Sequence, residues 1–412
     1  MRLLRVIATL DPKHGGPAAG LRAITPELTR LGHETSFVSL DEPERAAEFA
    51  IKAPVYALGP GRGGYAYSAR LEPWLRAHAC DYDAVFVHGL WQHHGRAVRA
   101  ALAGTSTPYF VFPHGMLDPW FRKAYPLKHV KKWIYWQLCE RHVLRDAAAV
   151  FFTCDEERRL ARESFQPYTC TERVVAYGTA LPEKAEARQR ASWQAYIPEL
   201  GDRPFWLFLG RIHPKKGLDV LLRAYAMHAA SMAGRPPALV LAGPGTDSTY
   251  RAGLEKLVRT LPEGCRVFWT GMLEGARKWG ALRSAEVFIL PSHQENFGIA
   301  VVEALAVGTP VLISRKVNIW EEIESVGAGF ADTDDTAGTL RLLNRWHALP
   351  PQDRETMRQN ATKLFNNRYE ISRVARSLIE SVTPFLRALP SNAPHEVIPS
   401  KPTARVPGRA LY

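Results

Sequence analysis

Short apolar runs alternate with amphipathic stretches along nearly the whole chain. Residues 3–10 form the first such run and predict a buried strand. A Gly/Pro turn follows, and the apolar spacing over 18–31 predicts a helix that Gly32 ends. Strand-sized runs recur over 35–40, 84–88, 109–112, 148–153 and 173–177, then over 206–209, 239–242, 267–270, 287–290 and 311–314. Helical patterns, for instance 218–228 and 299–307, lie between them. Strands apolar on both faces and alternating with helices predict parallel sheets covered by helices. That many strands divide better into two sheets of five or six than into one sheet of ten or more. The predicted fold class is α/β, in two parallel-sheet units.

The best seam is 181–203, which is charged, carries Pro182, Pro198 and Gly201, and lacks a strand pattern. It separates a first domain, 1–180, from a second, 204–365. A helical stretch over 354–389 closes the second half, and its part 366–389 is expected to pack back toward the first domain. The remaining 390–412 holds five prolines and little apolar content, the composition of a disordered tail.

Composition changes this picture little. The 412 residues are 46% hydrophobic and 23% charged, which excludes a disordered chain, a collagen and a disulfide-rich mini-protein. The formal charge of +12 favours an anionic partner: a phosphorylated small molecule, an anionic membrane or nucleic acid. Five scattered cysteines without a C-x-x-C pair read as thiols of a reducing compartment. Arg2 and Arg5 flank a short apolar stretch, but Asp11 and Pro12 interrupt it too early for a signal peptide, and no run approaches the ~20 apolar residues of a membrane span. The expected location is cytoplasmic.

In such sheets, ligands bind beyond the carboxyl ends of the strands, so the loops after strands hold the candidate chemistry. The first is Asp11-Pro12-Lys13-His14-Gly15-Gly16-Pro17, where two glycines precede a helix; it reads equally as a tight turn or as a ligand loop, and it lacks a full G-x-G-x-x-G. In the second half, Gly210-Arg211-Ile212-His213-Pro214-Lys215-Lys216-Gly217 puts two cations, Arg211 and Lys216, beside one strand end. A planar guanidinium with a point-charge ammonium suits a diphosphate. Gly243 and Gly245 end another strand on the same edge. The segment from Leu290 to Leu305 then runs from a strand, through a loop with Glu295 and Gly298, into a helix containing Glu303. Its first helix amides can receive a phosphate, and Glu303 can bind the vicinal hydroxyls of a ribose.

These segments resemble the retaining glycosyltransferases of family 4, which have the GT-B fold of two facing Rossmann-like domains. The resemblance runs from Leu3 to about Leu389, and its most specific parts are Gly-Arg-x4-Lys-Gly at 210–217 and the E-x7-E pair Glu295 and Glu303. It implies a nucleotide-diphosphate sugar donor, UDP- or GDP-linked, with no metal or other cofactor. Arg211 and Lys216 would hold the diphosphate, and the backbone around Asn296, Phe297, Gly298, Ile299 and Ala300 would cap a phosphate. Glu303 would bind the ribose and Glu295 the donor sugar, as stabiliser or as nucleophile. The loop with Met272 would lie near the base. His114, in Phe112-Pro113-His114-Gly115, matches the family's strand-end histidine that reaches the sugar across the cleft, while Gly15 and Gly16 match its amino-terminal glycine loop. The chain departs from the family where many members have Pro-Asn-Gly and it has Ala176-Tyr177-Gly178-Thr179.

The implied activity is retaining transfer of a hexose-type sugar to a glycan or lipid-linked saccharide, as in exopolysaccharide, lipopolysaccharide or glycolipid synthesis. A GT-B sugar-nucleotide epimerase is the enzymatic alternative; it would need further acid/base carboxylates and no acceptor. A basic protein for nucleic acid or an anionic surface is the non-enzymatic one, but no nucleic-acid module is present and no nucleic-acid partner is expected. The histidines of His88-Gly89-Leu90-Trp91-Gln92-His93-His94 lack acidic or cysteine partners at ligand spacing and read as a structural or acceptor-facing loop. Asp332-Thr333-Asp334-Asp335 reads as a surface turn. Finally, 120–136 is rich in lysine and aromatic residues. Helical geometry groups Lys128, Lys131, Lys132 and Tyr135 on one side and Val130, Trp133 and Ile134 on the other, which suggests peripheral docking on an anionic membrane.

Overall fold

The computed structural model describes residues 1–386 apart from 12–15, 50, 125, 183, 233 and 246. Gly15 and the proline-rich 390–412 therefore lie outside the described residues. Seven parallel strands make the first sheet: β1 (Arg2–Ile7), β2 (Glu34–Ser39), β3 (Val55–Ala57), β4 (Ala84–His88), β5 (Tyr109–Phe112), β6 (Ala149–Phe152) and β7 (Glu172–Val174), in the order β3-β2-β1-β4-β5-β6-β7. Six make the second: β8 (Phe205–Leu209), β9 (Ala238–Ala242), β10 (Val267–Gly271), β11 (Val287–Leu290), β12 (Val311–Ser314) and β13 (Gly329–Asp332), in the order β10-β9-β8-β11-β12-β13.

Both orders reverse direction once, at β1/β4 and at β8/β11, and the crevice at such a reversal is where this architecture receives ligands. The loop that ends at Gly16 follows β1. Those carrying Arg211 and Glu295 follow β8 and β11.

The sheets hold seven and six strands, where the sequence pattern suggested five or six each. The additional strands are edges. Val55–Ala57 is three residues long and only half-buried, and Gly329–Asp332 begins on a glycine and ends on an aspartate. Neither displays the double-faced apolar run of a central strand. The segment 181–203 is also more than a linker. It contains the helix Glu186–Gln194, which packs on Gly275–Ser284, and buries Trp193 in the second core. A Cβ at Gly280 would fall 2.1 Å from the Gln189 carbonyl oxygen, so glycine is what lets these helices touch.

The closing helical stretch is two helices, Pro351–Leu364 and Ile371–Val382, joined by a π-helical turn. The first packs on the second domain. The other places Ile371, Val374, Leu378 and Val382 in a core with Leu3, Ile24 and Phe110 of the first domain. The chain therefore crosses twice between the sheets, and this return strap is fastened by apolar burial. Leu378→Ala, at a site 1% exposed, is expected to destabilise the protein by about 2–5 kcal/mol, measured by urea denaturation.

Candidate active site

The second-domain half of the site is assembled by glycines that bring three strand ends together. After β8, the Gly210 amide donates to the Ala242 carbonyl at 2.9 Å, and the Gly243 amide donates to Gly271 at 2.7 Å. Gly243 has φ +141°, and a Cβ there would sit 1.8 Å from the Gly210 carbonyl oxygen. Gly245 bridges to Ile212. The turn Pro214–Lys216 then ends on Gly217, in left-handed conformation, against the Pro291 carbonyl. The His293 amide donates to the Lys215 carbonyl at 2.8 Å. These contacts interlock the loops after β8 and β11, and they bring the Lys216 ammonium onto the Glu295 carboxylate.

Glu295 is itself pinned by its backbone, its amide on the Lys316 carbonyl and its carbonyl under the Asn318 amide. Gly298, at φ +74°, starts the helix Ile299–Ala306. The Val301 amide turns back to the Gly298 carbonyl at 2.8 Å, while those of Ile299 and Ala300, at the start of the helix, have no acceptor a turn earlier. Glu303 is buried and pairs with Lys278 at 2.7 Å. Arg211 is exposed, and no carboxylate among the described residues pairs with it. Burial, then the charges of Arg211, Lys215 and Lys216, push the His213 imidazole below its ordinary pKa, so the three cations share one neighbourhood. Met272 is exposed in the loop after β10.

The first-domain half lies directly across. His114 and Gly115 both have positive φ, +51° and +75°, which turns the chain sharply after β5. The Gly115 amide donates to the buried Glu157 carboxylate at 2.6 Å, and a Cβ at Gly115 would meet the Asn296 side chain at 2.6 Å. Asn296 also donates to Thr153 at 3.2 Å, Gln294 to Asp118 at 2.8 Å, and the Phe297 ring meets Tyr177 at 5.5 Å. The side chains of Asn296 and Phe297 thus hold the two domains together, and these residues offer a ligand chiefly their backbone. Tyr177, which stands where many family members have asparagine, donates to the carbonyls of Gly16 and Pro17 at 3.0 and 3.1 Å.

Behind His114 runs a buried relay. Arg5 Nη1 lies 3.2 Å from His88 Nε2, and His88 Nδ1 lies 3.1 Å from His114 Nε2. A guanidinium only donates, so His88 Nε2 accepts, His88 Nδ1–H donates, and His114 Nε2 accepts. His114 is left with Nδ1–H as its one ring donor. Burial, and then the Arg5 charge, lower His114 to about 4, and burial holds His88 well below the ordinary range. Both imidazoles are neutral at physiological pH. The same burial lowers Arg5 only to about 10, so it stays charged.

Sequence reasoning missed Lys278, Gln294, Asp118 and the Arg5–His88 relay. His88 carried a signal, a polar residue ending a strand that is otherwise apolar. Arg5 inside β1 was the same kind of signal. Among the described residues no group of three His, Cys, Asp or Glu has the arrangement of a metal site.

The lysine-rich helix Pro126–Tyr135 exposes Lys128 and Lys131, as its amphipathicity suggested, but it also exposes its apolar side. Lys132 and Tyr135 turn inward: the Lys132 ammonium lies 4.7 Å from the Trp91 ring centroid and the Tyr135 hydroxyl donates to Tyr65 at 3.0 Å. Lys132 therefore does not share an outer face with Lys128 and Lys131. The outer face also displays Leu127 (87% exposed), Val130, Ile134 and Leu138 (77%), with Trp133 half exposed beside them. The inward turn of Lys132 arises because the first domain supplies aromatic rings, Trp91 and Phe121, as seats for the lysine stem and charge. No helix among the described residues is long and apolar enough to cross a membrane.

Residues 15–178 match the glycosyl transferase 4-like domain, and residues 189–364 match the glycosyl transferases group 1. The chain has the GT-B fold, and its two halves belong to these two glycosyl transferase domain families. Among curated relatives it is 29% identical over 250 residues to an alpha-D-kanosaminyltransferase of Streptomyces kanamyceticus, covering 59% of this chain and 61% of the relative. It is 32% identical over 205 residues to a D-inositol 3-phosphate glycosyltransferase of Kineococcus radiotolerans, covering 49% and 47%. The chain thus spans about half the length of the curated relatives it matches. Anabaena HepE in complex with UDP-glucose superposes with a TM-score of 0.70 at 17% identity, over 93% of this chain and 100% of that one. Sucrose-phosphate synthase from Thermosynechococcus elongatus does so with a TM-score of 0.69 at 18% identity, over 93% and 99%. At these identities the structural likeness is one of fold.

Proposed function

We propose that the protein is a retaining glycosyltransferase that moves a hexose-type sugar from a UDP- or GDP-sugar to a hydroxyl of a lipid-linked or glycan acceptor. The observation that carries this reading is the convergence of Arg211, Lys216 and the amides of Ile299 and Ala300 around one strand-end crevice, with the His114 loop facing it. When the sugar C1–O bond breaks, negative charge develops on the departing diphosphate while the ring becomes oxocarbenium-like. Fixed cations and unpaired helix amides stabilise that charge as it forms. The acceptor hydroxyl attacks from the face the diphosphate leaves, so configuration is retained, and its proton passes to a phosphate oxygen of the leaving group. Glu295, held by Lys216, steadies the cationic sugar without forming a bond to it.

The reaction then needs no divalent ion. Chelator-treated enzyme is expected to keep its transfer activity with the correct UDP- or GDP-sugar. Activity lost to chelation and restored by magnesium or manganese would overturn the diphosphate assignment.

The outward apolar face of Pro126–Tyr135, continued by Leu138 and flanked by exposed Lys128 and Lys131, supports docking on an anionic leaflet at a lipid-linked acceptor. Each lysine near the leaflet contributes about 1 kcal/mol. Wild-type protein is expected to co-sediment with phosphatidylglycerol vesicles, more so at low salt. Val130→Asp/Ile134→Asp and Lys128→Glu/Lys131→Glu variants should each lose most of that binding. Equal sedimentation of all three proteins, or of none, would make the helix purely structural.

A further inference from the structure

The inward side of the same helix closes a cavity of about 310 Å³ beside the cleft, lined among others by Met116, Phe121, His129, Lys132 and Phe165. Two ammonium groups from different domains approach one ring of its wall, that of Phe121. Lys132 Nζ lies 5.4 Å from the Phe121 centroid, and Lys215 Nζ, from the loop after β8, lies 5.7 Å from it and 5.7 Å from Trp120. Both lysines are partly buried, and burial lowers the pKa of each. Neither makes an ion pair with a carboxylate among the described residues, unlike neighbouring Lys216. Asp118, also on the cavity wall, has one oxygen on the Trp120 amide and the other on Gln294, both at 2.8 Å. Aromatic faces return only about 0.5–2 kcal/mol to a cation. Glu295 and Asp118 act on Lys215, and Glu140 on Lys132, without forming an ion pair, so both partly desolvated charges keep room for an anion in direct contact.

We propose that the phosphate or diphosphate head of the acceptor binds at the Phe121 side of this cavity, within reach of Lys132, which lines it, and of Lys215, which approaches the same ring from the second domain. This rests on the glycosyl-transfer reading and narrows its acceptor to a phosphate-bearing one. The source is a lipid, because the helix that directs Lys132 inward turns its Leu127–Val130–Ile134–Leu138 face outward, where an isoprenoid or acyl chain leaving the cavity would meet the bilayer. Lys215 comes from the donor-side loop, so an acceptor held this way would also draw the two domains together.

The test is calorimetric titration of the full chain with farnesyl diphosphate, farnesol, a hexose 1-phosphate and inorganic pyrophosphate, each with saturating UDP or GDP already bound. Farnesyl diphosphate is expected to bind at least about tenfold more tightly than the other three, the scale of one charge-assisted hydrogen bond. Lys132→Met and Lys215→Met should each lose about that factor, while Lys256→Met, at an exposed position of the helix Ser248–Arg259 in the second domain, stays at the wild-type value. Equal binding of farnesol would reduce the cavity to an apolar slot. Tighter binding of hexose 1-phosphate or pyrophosphate would replace the lipid source by a free phosphate, and unchanged affinity in both methionine variants would overturn the site. UDP or GDP affinity, measured first on each variant, reports folding and tests the donor assignment separately. If Lys132→Met fails to bind nucleotide, Lys215→Met decides. If no protein binds either nucleotide, the donor reading fails, whatever farnesyl diphosphate does.

Discussion

Replacing Lys216 with alanine is expected to remove about 2–4 kcal/mol of transition-state stabilisation, read as a fall in kcat/KM for sugar transfer. Two effects contribute. The ammonium is a fixed positive charge in the loop after β8, beside the start of the helix Ile299–Ala306, where the proposed mechanism puts the leaving diphosphate. It is also the partner of Glu295, whose carboxylate is 21% exposed and would be left uncompensated. A double-mutant cycle with Glu295→Gln separates the two. If Lys216 served only to neutralise Glu295, the double variant would regain most of the activity lost in Lys216→Ala. If it stabilises the diphosphate, the loss persists, and Arg211→Ala, which unpairs no carboxylate among the described residues, should show a loss of similar size. Near-wild-type turnover by Lys216→Ala would remove the residue from the mechanism.

Much of this framework was legible in the sequence, because parallel sheets covered on both faces write themselves as contiguous apolar runs. β4, β5, β11 and β12 begin and end where the apolar pattern does. The second-domain loops were legible for a related reason: a backbone that must approach another backbone requires glycine, and Gly243 and Gly217 mark those places in plain letters. What stayed hidden depends on tertiary partners. β3 and β13 are edges without two apolar faces. Glu303 was readable as an acid one turn into a helix, but Lys278 is 25 residues away and its pairing is set only when the helices pack. In Pro126–Tyr135 the exposure of Lys128 and Lys131 was legible but the inward turn of Lys132 was not, because helical periodicity distinguishes two faces without saying which one the domain will cover. Trp91 and Phe121 decide that, and they are remote in sequence from Lys132 or belong to a different helix.

The relay behind His114 leads to the second large expected effect. His88→Leu takes from the Arg5 guanidinium, 1% exposed, its hydrogen-bond acceptor, and losing a buried hydrogen bond to a charged group costs about 1.5–3 kcal/mol of stability. The same change removes the donor that holds His114 Nε2 unprotonated, so the imidazole is free to take either tautomer. Transfer should then slow, because the His114 loop no longer presents a single Nδ1–H donor at the cleft. His88→Gln is the informative contrast. Its carbonyl can accept from Arg5 and its amide can donate to His114, so stability and turnover should both return toward wild type. Because burial keeps His114 neutral down to about 4, its own protonation should not shape the rate between pH 5.5 and 8. The ¹⁵N shifts of the His114 ring report the tautomer directly: Nδ1-protonated in wild type and His88→Gln, mixed in His88→Leu. An Nε2-protonated His114 in the wild-type protein would break the relay at its last link, whatever the activities showed. A His114→Ala variant closes the argument from the other side. It should lose transfer by about two orders of magnitude, the scale of one positioned donor, while keeping its affinity for the free nucleotide, whose diphosphate the proposed site holds from the opposite domain.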